Sequence, residues 1–334
     1  MNSERIYLVE EADPTVFFGP NNKNLSLLKA LYPKLRIMAR GNIVKVIGEP
    51  DECTDFVRFL SKLEKHTERY NVLDDETIVE MQRGEEPKER ISEDVIIYGA
   101  GGKAIKAFSA NQREMVRLVE EYDLVFATGP AGSGKTFMAI VMAVKMLKSK
   151  QARRIILSRP AVEAGEKLGF LPGEMKDKLD PYLQPLYDAL QELIPAIKLK
   201  EYMEMGVIQI APLAFMRGRT LNDAVIILDE AQNTTPHQMK MFLTRLGMNG
   251  KMIVTGDMSQ IDLPKGTTSG LKQALGILKD TQGIGRIAFE KKDIARHGLV
   301  KAIVEAYDEH DRRVKAEREA ALQENEDDND SNNP

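Results

Sequence analysis

The sequence predicts an α/β fold in which a parallel β-sheet, covered by helices on both faces, follows a small α+β unit. From about residue 108, short β-branched runs alternate with helical stretches, and the clearest runs are 124–128, 153–159, 224–228 and 251–257. These runs are continuously apolar, as expected of strands that are buried on both faces. Residues 1–70 instead combine two short strands with two helices in one small unit.

Four regions follow one another along the 334 residues. Residues 1–70 are predicted to form the small α+β domain. Residues 71–107 are charged and contain several glycines, so we interpret them mostly as a linker. Residues 108–310 hold the alternating strands and helices of the main domain. Residues 311–334 contain the end of a long C-terminal helix and an acidic tail, which we expect to be disordered.

The composition is typical of a soluble globular protein, with 43% hydrophobic and 29% charged residues. The single cysteine, Cys53, excludes a disulfide framework within the chain and fits a reducing compartment. The first residues carry acids where a signal peptide needs bases, and the apolar run 137–144 is far shorter than a membrane span. We therefore expect a cytoplasmic protein without a membrane partner.

The net charge of −4 is unevenly distributed. Residues 324–334 contain five acids and no base, so the rest of the chain is close to neutral. Residues 23–45 contain six bases and no acid. A basic stretch on a nearly neutral body is compatible with an anionic partner such as RNA.

The segment 129–136, GPAGSGKT, matches the phosphate-binding pattern GxxxxGK[ST]. An apolar strand precedes it and a helix rich in Ala, Met and Val follows it, which is the strand–loop–helix context that the pattern requires. Glycines allow successive N–H groups to point inward at an anion, and the helix N-terminus adds its positive end. The predicted nucleotide-binding residues are Gly129, Pro130, Ala131, Gly132, Ser133, Gly134, Lys135 and Thr136. Lys135 is expected to reach the β- and γ-phosphates.

Two adjacent acids, Asp229 and Glu230, follow the buried run 224–228. Buried carboxylates are unfavourable unless a cation offsets them, and the cation expected beside a phosphate site is Mg²⁺. We predict that Thr136 binds the metal, that Asp229 holds it through its water shell, and that Glu230 activates the attacking water. Binding alone needs only the first acid, so the pair indicates hydrolysis of ATP.

Two glutamines complete the predicted site. Gln260 follows the run 251–257, and its amide could contact the γ-phosphate or the attacking water. Gln112 begins a helix just before the first strand of the main domain, and its amide can pair with both edges of adenine. Gln112, the phosphate-binding pattern, the acid pair and Gln260 follow one another along the chain. This order makes the set more specific than any one of the four signals.

The sequence resembles the PhoH-like protein family in a series of motifs that covers about residues 108–308. The quoted segments are NQREMVRL (111–118), GPAGSGKT, SRPAVEAGEKLGFLPG (158–173), DPYLQPLYD (180–188), RGRTLNDAVIILDEAQN (217–233), TGDMSQIDLP (255–264) and DIARHGLVKAIVEAYD (293–308). The family is similar to the first RecA-like core of superfamily 1 helicases. The resemblance implies a P-loop ATPase, often proposed to act on RNA and associated in bacteria with a YbeY-type endoribonuclease.

Residues 17–48 resemble a reduced KH module, with Gly19-Pro20-Asn21-Asn22 at the place of the GxxG loop. The second glycine is missing, which puts clamping of an RNA backbone in doubt. The unit therefore has two interpretations, RNA binding and protein docking or oligomerisation. It is too short for the PIN nuclease domain found in some relatives, so we expect no nuclease activity.

Only one RecA-like core is present, whereas helicases bind ATP between two. A second copy of the chain is expected to complete the site, in a ring that we expect to be a hexamer. The arginine supplied in trans is assigned to Arg296, with Arg217 and Arg219 as alternatives; each could equally form a surface ion pair. Arg159 and Lys167 are candidate RNA phosphate contacts, for which packing and salt bridging are an equal alternative.

Two functions remain open at this point. One is an RNA-directed ATPase that remodels RNA or presents it to a nuclease. The other is an ATP-dependent switch or scaffold whose output is a protein contact, without RNA. A small-molecule kinase is weaker, because the chain has no insertion for an acceptor and Glu230 suits water activation better.

Overall fold

The computed structural model describes residues 3–86, 95–160, 175–264 and 266–294, together with residues 299, 303 and 307. The strands are β1 (Ser3–Leu8), β2 (Arg36–Arg40), β3 (Ile43–Gly48), β4 (Val95–Tyr98), β5 (Ala104–Lys106), β6 (Leu124–Thr128), β7 (Arg154–Arg159), β8 (Ile208–Pro212), β9 (Ala224–Leu228), β10 (Lys251–Gly256) and β11 (Ile284–Ala288). The helices are α1 (Pro14–Phe18), α2 (Lys23–Leu31), α3 (Pro50–Tyr70), α4 (Asp75–Gln82), α5 (Ala110–Glu121), α6 (Lys135–Lys148), α7 (Met175–Leu193), α8 (Ala196–Glu204), α9 (Pro236–Leu243) and α10 (Gly270–Ile277).

Six of these strands form one parallel sheet in the order β11-β6-β10-β9-β7-β8. Alternate residues of each strand enter two separate apolar clusters. Val125, Ile155 and Ile227 face helices α5 to α8, whereas Phe126 and Ile226 face α9 and α10. The predicted α/β fold with a parallel sheet between helices is confirmed.

The N-terminal unit is a three-stranded antiparallel sheet in the order β1-β3-β2. Its chain order is strand, two helices, two strands and a long helix. Helix α3 begins with Pro50, Asp51 and Glu52, residues that favour a helix N-terminus, and its buried face includes Phe56 and Leu60. This confirms a small α+β domain in front of the main sheet.

The prediction of a linker at 71–107 is wrong for most of the described part of that region. Helix α4 packs Ile78 into the core of the N-terminal unit. Strands β4 and β5 form an antiparallel pair, and Ile97 and Ile105 pack into the core below helix α6. The region is charged overall, but its few apolar residues are clustered in short segments that can be buried. The overall composition does not show these clusters.

The two units contact each other through α8 and through the segment between α3 and β5. Asn71 is buried in a left-handed conformation (φ 54°), and its Nδ2 donates to the carbonyl oxygens of Gly99 and Tyr98. Lys198 of α8 forms an ion pair with Glu11. Between the units lies a cleft with a volume of about 820 Å³.

The C-terminal helix predicted from about residue 298 lies mostly outside the described residues. Residues 299, 303 and 307 are helical. In the described part of the chain, no helix combines the length and the apolar character that crossing a bilayer requires.

Candidate functional site

The segment between β6 and α6 forms the phosphate cradle. Gly129, Gly132 and Gly134 all have positive φ angles, of 140°, 80° and 82°. The positive φ of Gly134 favours glycine, and a Cβ atom there would lie 2.8 Å from Nε2 of Gln112, so the end of that side chain would have to shift. The cradle ends in the first turn of α6, where free N–H groups and the helix dipole favour an anion.

Lys135 lies at the bottom of this cradle and is buried. Its Nζ donates to the carbonyl oxygen of Pro130 at 2.8 Å. Burial lowers the pKa of Lys135, while the carboxylates of Asp257, Asp229 and Glu230 counteract that shift. The acids therefore offset part of the cost of burying the positive charge of Lys135.

Thr136 and Asp229 are in direct contact. The Thr136 hydroxyl donates to Oδ1 of Asp229 at 2.6 Å, and the Thr255 hydroxyl donates to the same oxygen at 2.8 Å. Asp229 is only 4% exposed. Strand β10 lies between the acidic strand β9 and β6. The Asp229 side chain nevertheless reaches the first turn of α6 across this gap.

This pair of oxygen donors fits a Mg²⁺ ion. Mg²⁺ in nucleotide sites is typically held by one or two protein oxygens, with phosphates and waters as the other ligands. Within the described residues there is no group of three or more His, Cys, Asp or Glu side chains that could hold a metal. A hydroxyl and one carboxylate beside a phosphate cradle are consistent with that sparse type of site.

Glu230 has a left-handed backbone (φ 52°, ψ 37°), which is uncommon for a residue with a side chain. Both of its carboxylate oxygens are engaged. Nη2 of Arg159 lies 3.1 Å from Oε1, and Nε2 of Gln232 donates to Oε2 at 2.5 Å. Arg159 also lies 3.8 Å from Asp229. The structure therefore shows Arg159 in the salt-bridging arrangement that was one of its two interpretations.

The loop after β10 is bonded directly to the phosphate cradle. Oδ2 of Asp257 accepts the Ala131 N–H at 2.9 Å, and the Gly129 N–H donates to the carbonyl oxygen of Gly256 at 3.1 Å. Burial alone would raise the pKa of Asp257, but hydrogen bonds from Ser259 and Ala131 lower it overall. Asp257 thus stays a carboxylate against the cradle.

The cradle, the two acids and the loop after β10 line one cavity of about 210 Å³. Its lining residues are Ala131, Gly132, Gly134, Lys135, Thr136, Phe137, Asp229, Glu230, Gly256, Asp257 and Gln260. The structure therefore brings Lys135, Thr136, Asp229, Glu230 and Gln260 to one place. Their chemical roles stay predictions.

Gln112 is buried and forms a hydrogen bond with the backbone of the cradle. Its Oε1 accepts the Phe108 N–H at 2.7 Å, and its Nε2 donates to the Ser133 carbonyl oxygen at 3.2 Å. Both ends of the amide are thus engaged by the backbone. Pairing with adenine stays a prediction, and it requires these two bonds to open.

Of the candidate arginines, the structure describes Arg217 and Arg219, and neither lines the cavity. Arg296 and Lys167 lie outside the described residues. Arg219 donates to Oε1 of Gln209 at 2.8 Å, and Arg217 is exposed near β8, the edge strand farthest from β6. The assignment of a trans-acting arginine stays a prediction.

Sequence reasoning missed two residues that organise the acids, Thr255 and Gln232. Thr255 contacts Asp229 only because β9 and β10 are paired with Val254 opposite Leu228. That register cannot be derived from spacing along the chain. Gln232 follows Glu230 by two residues in the motif DEAQ, and this proximity is the only signal that could have identified it.

A family model described as PhoH-like protein matches residues 104–308. The chain is 48% identical over 296 residues to a PhoH-like protein of Bacillus subtilis, covering 87% of this chain and 92% of the relative. It is 39% identical over 279 residues to Protein PhoH of Escherichia coli, with coverages of 83% and 76%.

Two solved structures of helicases are similar at a lower level. The Pif1 helicase from Candida albicans matches with 15% identity and a TM-score of 0.31, over 56% of this chain and 40% of that chain. The UvsW helicase from bacteriophage T4 matches with 12% identity and a TM-score of 0.34, over 69% and 77%. These scores are too low to bear on activity. The family match and the 48% identity show that this chain belongs to the PhoH-like protein family.

Proposed function

We propose that this PhoH-like protein hydrolyses ATP with Mg²⁺ and couples the hydrolysis to RNA. The observation that carries the proposal is the 2.6 Å contact between Thr136 and Asp229, which joins the phosphate cradle to the acidic strand. Glu230 lines the same cavity. This arrangement provides separate groups for holding the metal and for activating water.

Each of these residues has a separate role in the proposed hydrolysis. N–H groups of the cradle and the Lys135 ammonium offset the charge of the phosphates. Thr136 and Asp229 hold the metal, which when bound neutralises charge that develops on the phosphate oxygens. Glu230 accepts the proton of the attacking water, and Gln260 orients that water. Arg296 of a neighbouring subunit is proposed to complete the site.

The proposed coupling to RNA is supported by basic side chains on the surface of the N-terminal unit. Three bases of the stretch 23–45 pair with acids, namely Lys23 with Asp75, Lys34 with Glu52, and Lys45 with Glu4. Lys29, Arg36 and Arg40 form no ion pair with any residue in the described ranges, and Arg36 and Arg40 share the outer face of β2. These bases are available to phosphates of an RNA strand.

The further parts of the proposal follow from the family resemblance. The protein is proposed to act in the cytoplasm as a homo-oligomeric ring, with a YbeY-type endoribonuclease as a partner. The loop Gly19-Pro20-Asn21-Asn22 joins α1 to α2, and its three residues after Gly19 are exposed. This position leaves the loop open to a ligand of the N-terminal unit.

The test is an ATPase assay with and without single-stranded RNA. We expect RNA to raise the rate, Lys135→Ala to abolish tight ATP binding, and Glu230→Gln to bind ATP without turnover. The double variant Arg36→Ala/Arg40→Ala should keep the basal rate and lose the stimulation. Lys34→Ala, which removes a base already paired with Glu52, serves as the matched control.

Two results would contradict the proposal in different ways. Hydrolysis retained by Glu230→Gln would remove the assigned base. A rate unaffected by a panel of RNAs, with Glu230→Gln inactive, would leave an ATPase whose output is a protein contact rather than RNA.

A further inference from the structure

The amide of Gln232 connects the acidic turn to the loop after β10. Its Nε2 donates to Oε2 of Glu230 at 2.5 Å and to the carbonyl oxygen of Gln260 at 3.1 Å, and its Oε1 accepts the Asp257 N–H at 2.9 Å. The side chain is 0% exposed. Both N–H groups and the oxygen of this one buried amide therefore form hydrogen bonds with residues that line the cavity.

Arg159 holds the other oxygen of the same carboxylate. Nη2 lies 3.1 Å from Oε1 of Glu230, and Nη1 donates to the carbonyl oxygen of Tyr182 in α7 at 2.8 Å. A guanidinium has a rigid planar set of donors, so its two contacts fix each other's direction. Through Arg159, the position of Glu230 is tied to helix α7.

We propose that Gln232 and Arg159 are positioning residues that together hold the Glu230 carboxylate for water activation, so that turnover depends on the loop after β10 and on helix α7. This inference rests on the proposed function of Glu230. A general base must lie within hydrogen-bond reach of the proton that it accepts, and a misplacement of about 1 Å can reduce a rate by roughly 10²-fold. Neither residue needs to contact ATP.

The backbone of Glu230 explains why such support is needed. Its left-handed conformation is disfavoured for a residue with a Cβ and persists only where surrounding contacts stabilise it. The carboxylate also lies near the buried Asp229, a second negative charge. Two donors on opposite oxygens stabilise both the conformation and the charge, and they leave lone pairs on each oxygen for water.

The experiment compares kcat, KM and ATP affinity across variants of both residues. Gln232→Met removes all three bonds at similar volume, whereas Gln232→Glu keeps an acceptor for the Asp257 N–H and places a like charge beside Glu230. Arg159→Met removes both contacts, and Arg159→Lys keeps a positive charge that can reach one oxygen. Gln238→Met in the exposed capping box of α9 and Arg154→Met at the start of β7 are the matched controls.

We expect Gln232→Met, Gln232→Glu and Arg159→Met to lower kcat by roughly 10²-fold while KM and ATP affinity stay within about three-fold of the wild type. Arg159→Lys should recover at least part of the loss, and both controls should be unchanged. In a Glu230→Gln background, Arg159→Met should cause no further loss, because it acts through Glu230.

A parallel loss of ATP affinity and kcat would overturn the proposal, because it would show a merely structural role. Wild-type kcat in the Gln232 and Arg159 variants, with Glu230→Gln inactive, would overturn it while leaving the ATPase assignment intact. Activity in Glu230→Gln itself would instead overturn the base assignment on which the inference rests. If Gln232→Met does not fold, Gln232→Glu and the two Arg159 variants give the same decision.

Discussion

At the scale of single residues, the backbone conformations of Gly134 and Glu230 distinguish the site from an ordinary turn. Gly134 has φ 82° and Glu230 has φ 52°. The first is a conformation that glycine adopts without strain, and its motif position predicts it. The second belongs to a residue with a side chain, whose carboxylate contacts Gln232, two residues along the chain, and Arg159, which only the fold brings close.

Gly134→Ala tests the geometry of the cradle. The alanine would have to keep a left-handed backbone conformation, at a cost of roughly 1–2 kcal/mol. Its Cβ would also lie 2.8 Å from Nε2 of Gln112. We expect ATP affinity to fall at least about ten-fold, measured by titration with a fluorescent ATP analogue. Gly276→Ala is the control, because nothing lies within 4 Å of its Cβ and it is an exposed helix position. Equal affinity in the two variants would refute the strain argument.

Much of the residue-level site could be expected from sequence, because the motifs report which residues follow which strands. Parallel strands bring their carboxyl ends to one edge, so Lys135, Asp229 and Gln260 share a cavity. Hydrogen bonding was harder to predict. Gln112 has an amide suited to adenine, but the backbone at Phe108 and Ser133 binds both of its ends.

At the scale of elements, helix α6 links the phosphate cradle to the N-terminal unit. It begins at Lys135 in the cavity and ends at Lys148, which lines the cleft between the two units. Nζ of Lys148 donates to the carbonyl oxygen of Tyr98 at 3.3 Å, and burial lowers the pKa of Lys148 to about 8. A single rigid helix thus contacts both regions.

The pH dependence of stability tests this burial. The folded-state pKa of Lys148 lies below the unfolded value of about 10.4, so the penalty for its charge is fully present below about pH 8. The contribution of Lys148 to the free energy of unfolding therefore rises between about pH 8 and 10.4, because in this range the folded state has released the proton and the unfolded state still holds it. Lys148→Met should raise the free energy of unfolding at pH 7 by on the order of 1 kcal/mol and flatten this rise.

Urea unfolding at pH 7, 8, 9 and 10 measures the effect. Lys145→Met is the control, because Lys145 pairs with Glu120 at the surface and such pairs contribute about 0–1 kcal/mol. The Tyr98 carbonyl keeps Asn71 as a donor in Lys148→Met, which limits the loss. A Lys148→Met protein that is less stable at pH 7 would show that the hydrogen bond outweighs desolvation.

At the scale of the whole molecule, the size of the cavity bears on the predicted assembly with a second copy of the chain. The cavity of about 210 Å³ is smaller than typical ligand sites of roughly 300–1,000 Å³, and the residues that line it are those predicted to contact phosphates and the metal. In the described residues, Arg159 is the arginine that pairs with Glu230, and it is already bound to Tyr182. We predict that a neighbouring subunit supplies another.

Subunit mixing tests this assembly. Glu230→Gln and Arg296→Ala should each be inactive, and their mixture should recover activity where an intact Glu230 meets a neighbour's Arg296. An arginine supplied in trans can raise hydrolysis by roughly 10³–10⁵-fold, so the recovery is measurable. Mixing Glu230→Gln with Lys135→Ala should recover nothing, since neither chain keeps an intact site. No recovery in any ratio, together with a rate per chain that does not change with protein concentration, would contradict the ring.

The position of β10 between β6 and β9 has a mechanical consequence. The strand carries Thr255, which contacts Asp229 of β9, and the loop that follows the strand carries Asp257, which accepts the Ala131 N–H before α6. A sliding movement of this one strand would therefore shift Asp229 and the backbone at Ala131 together.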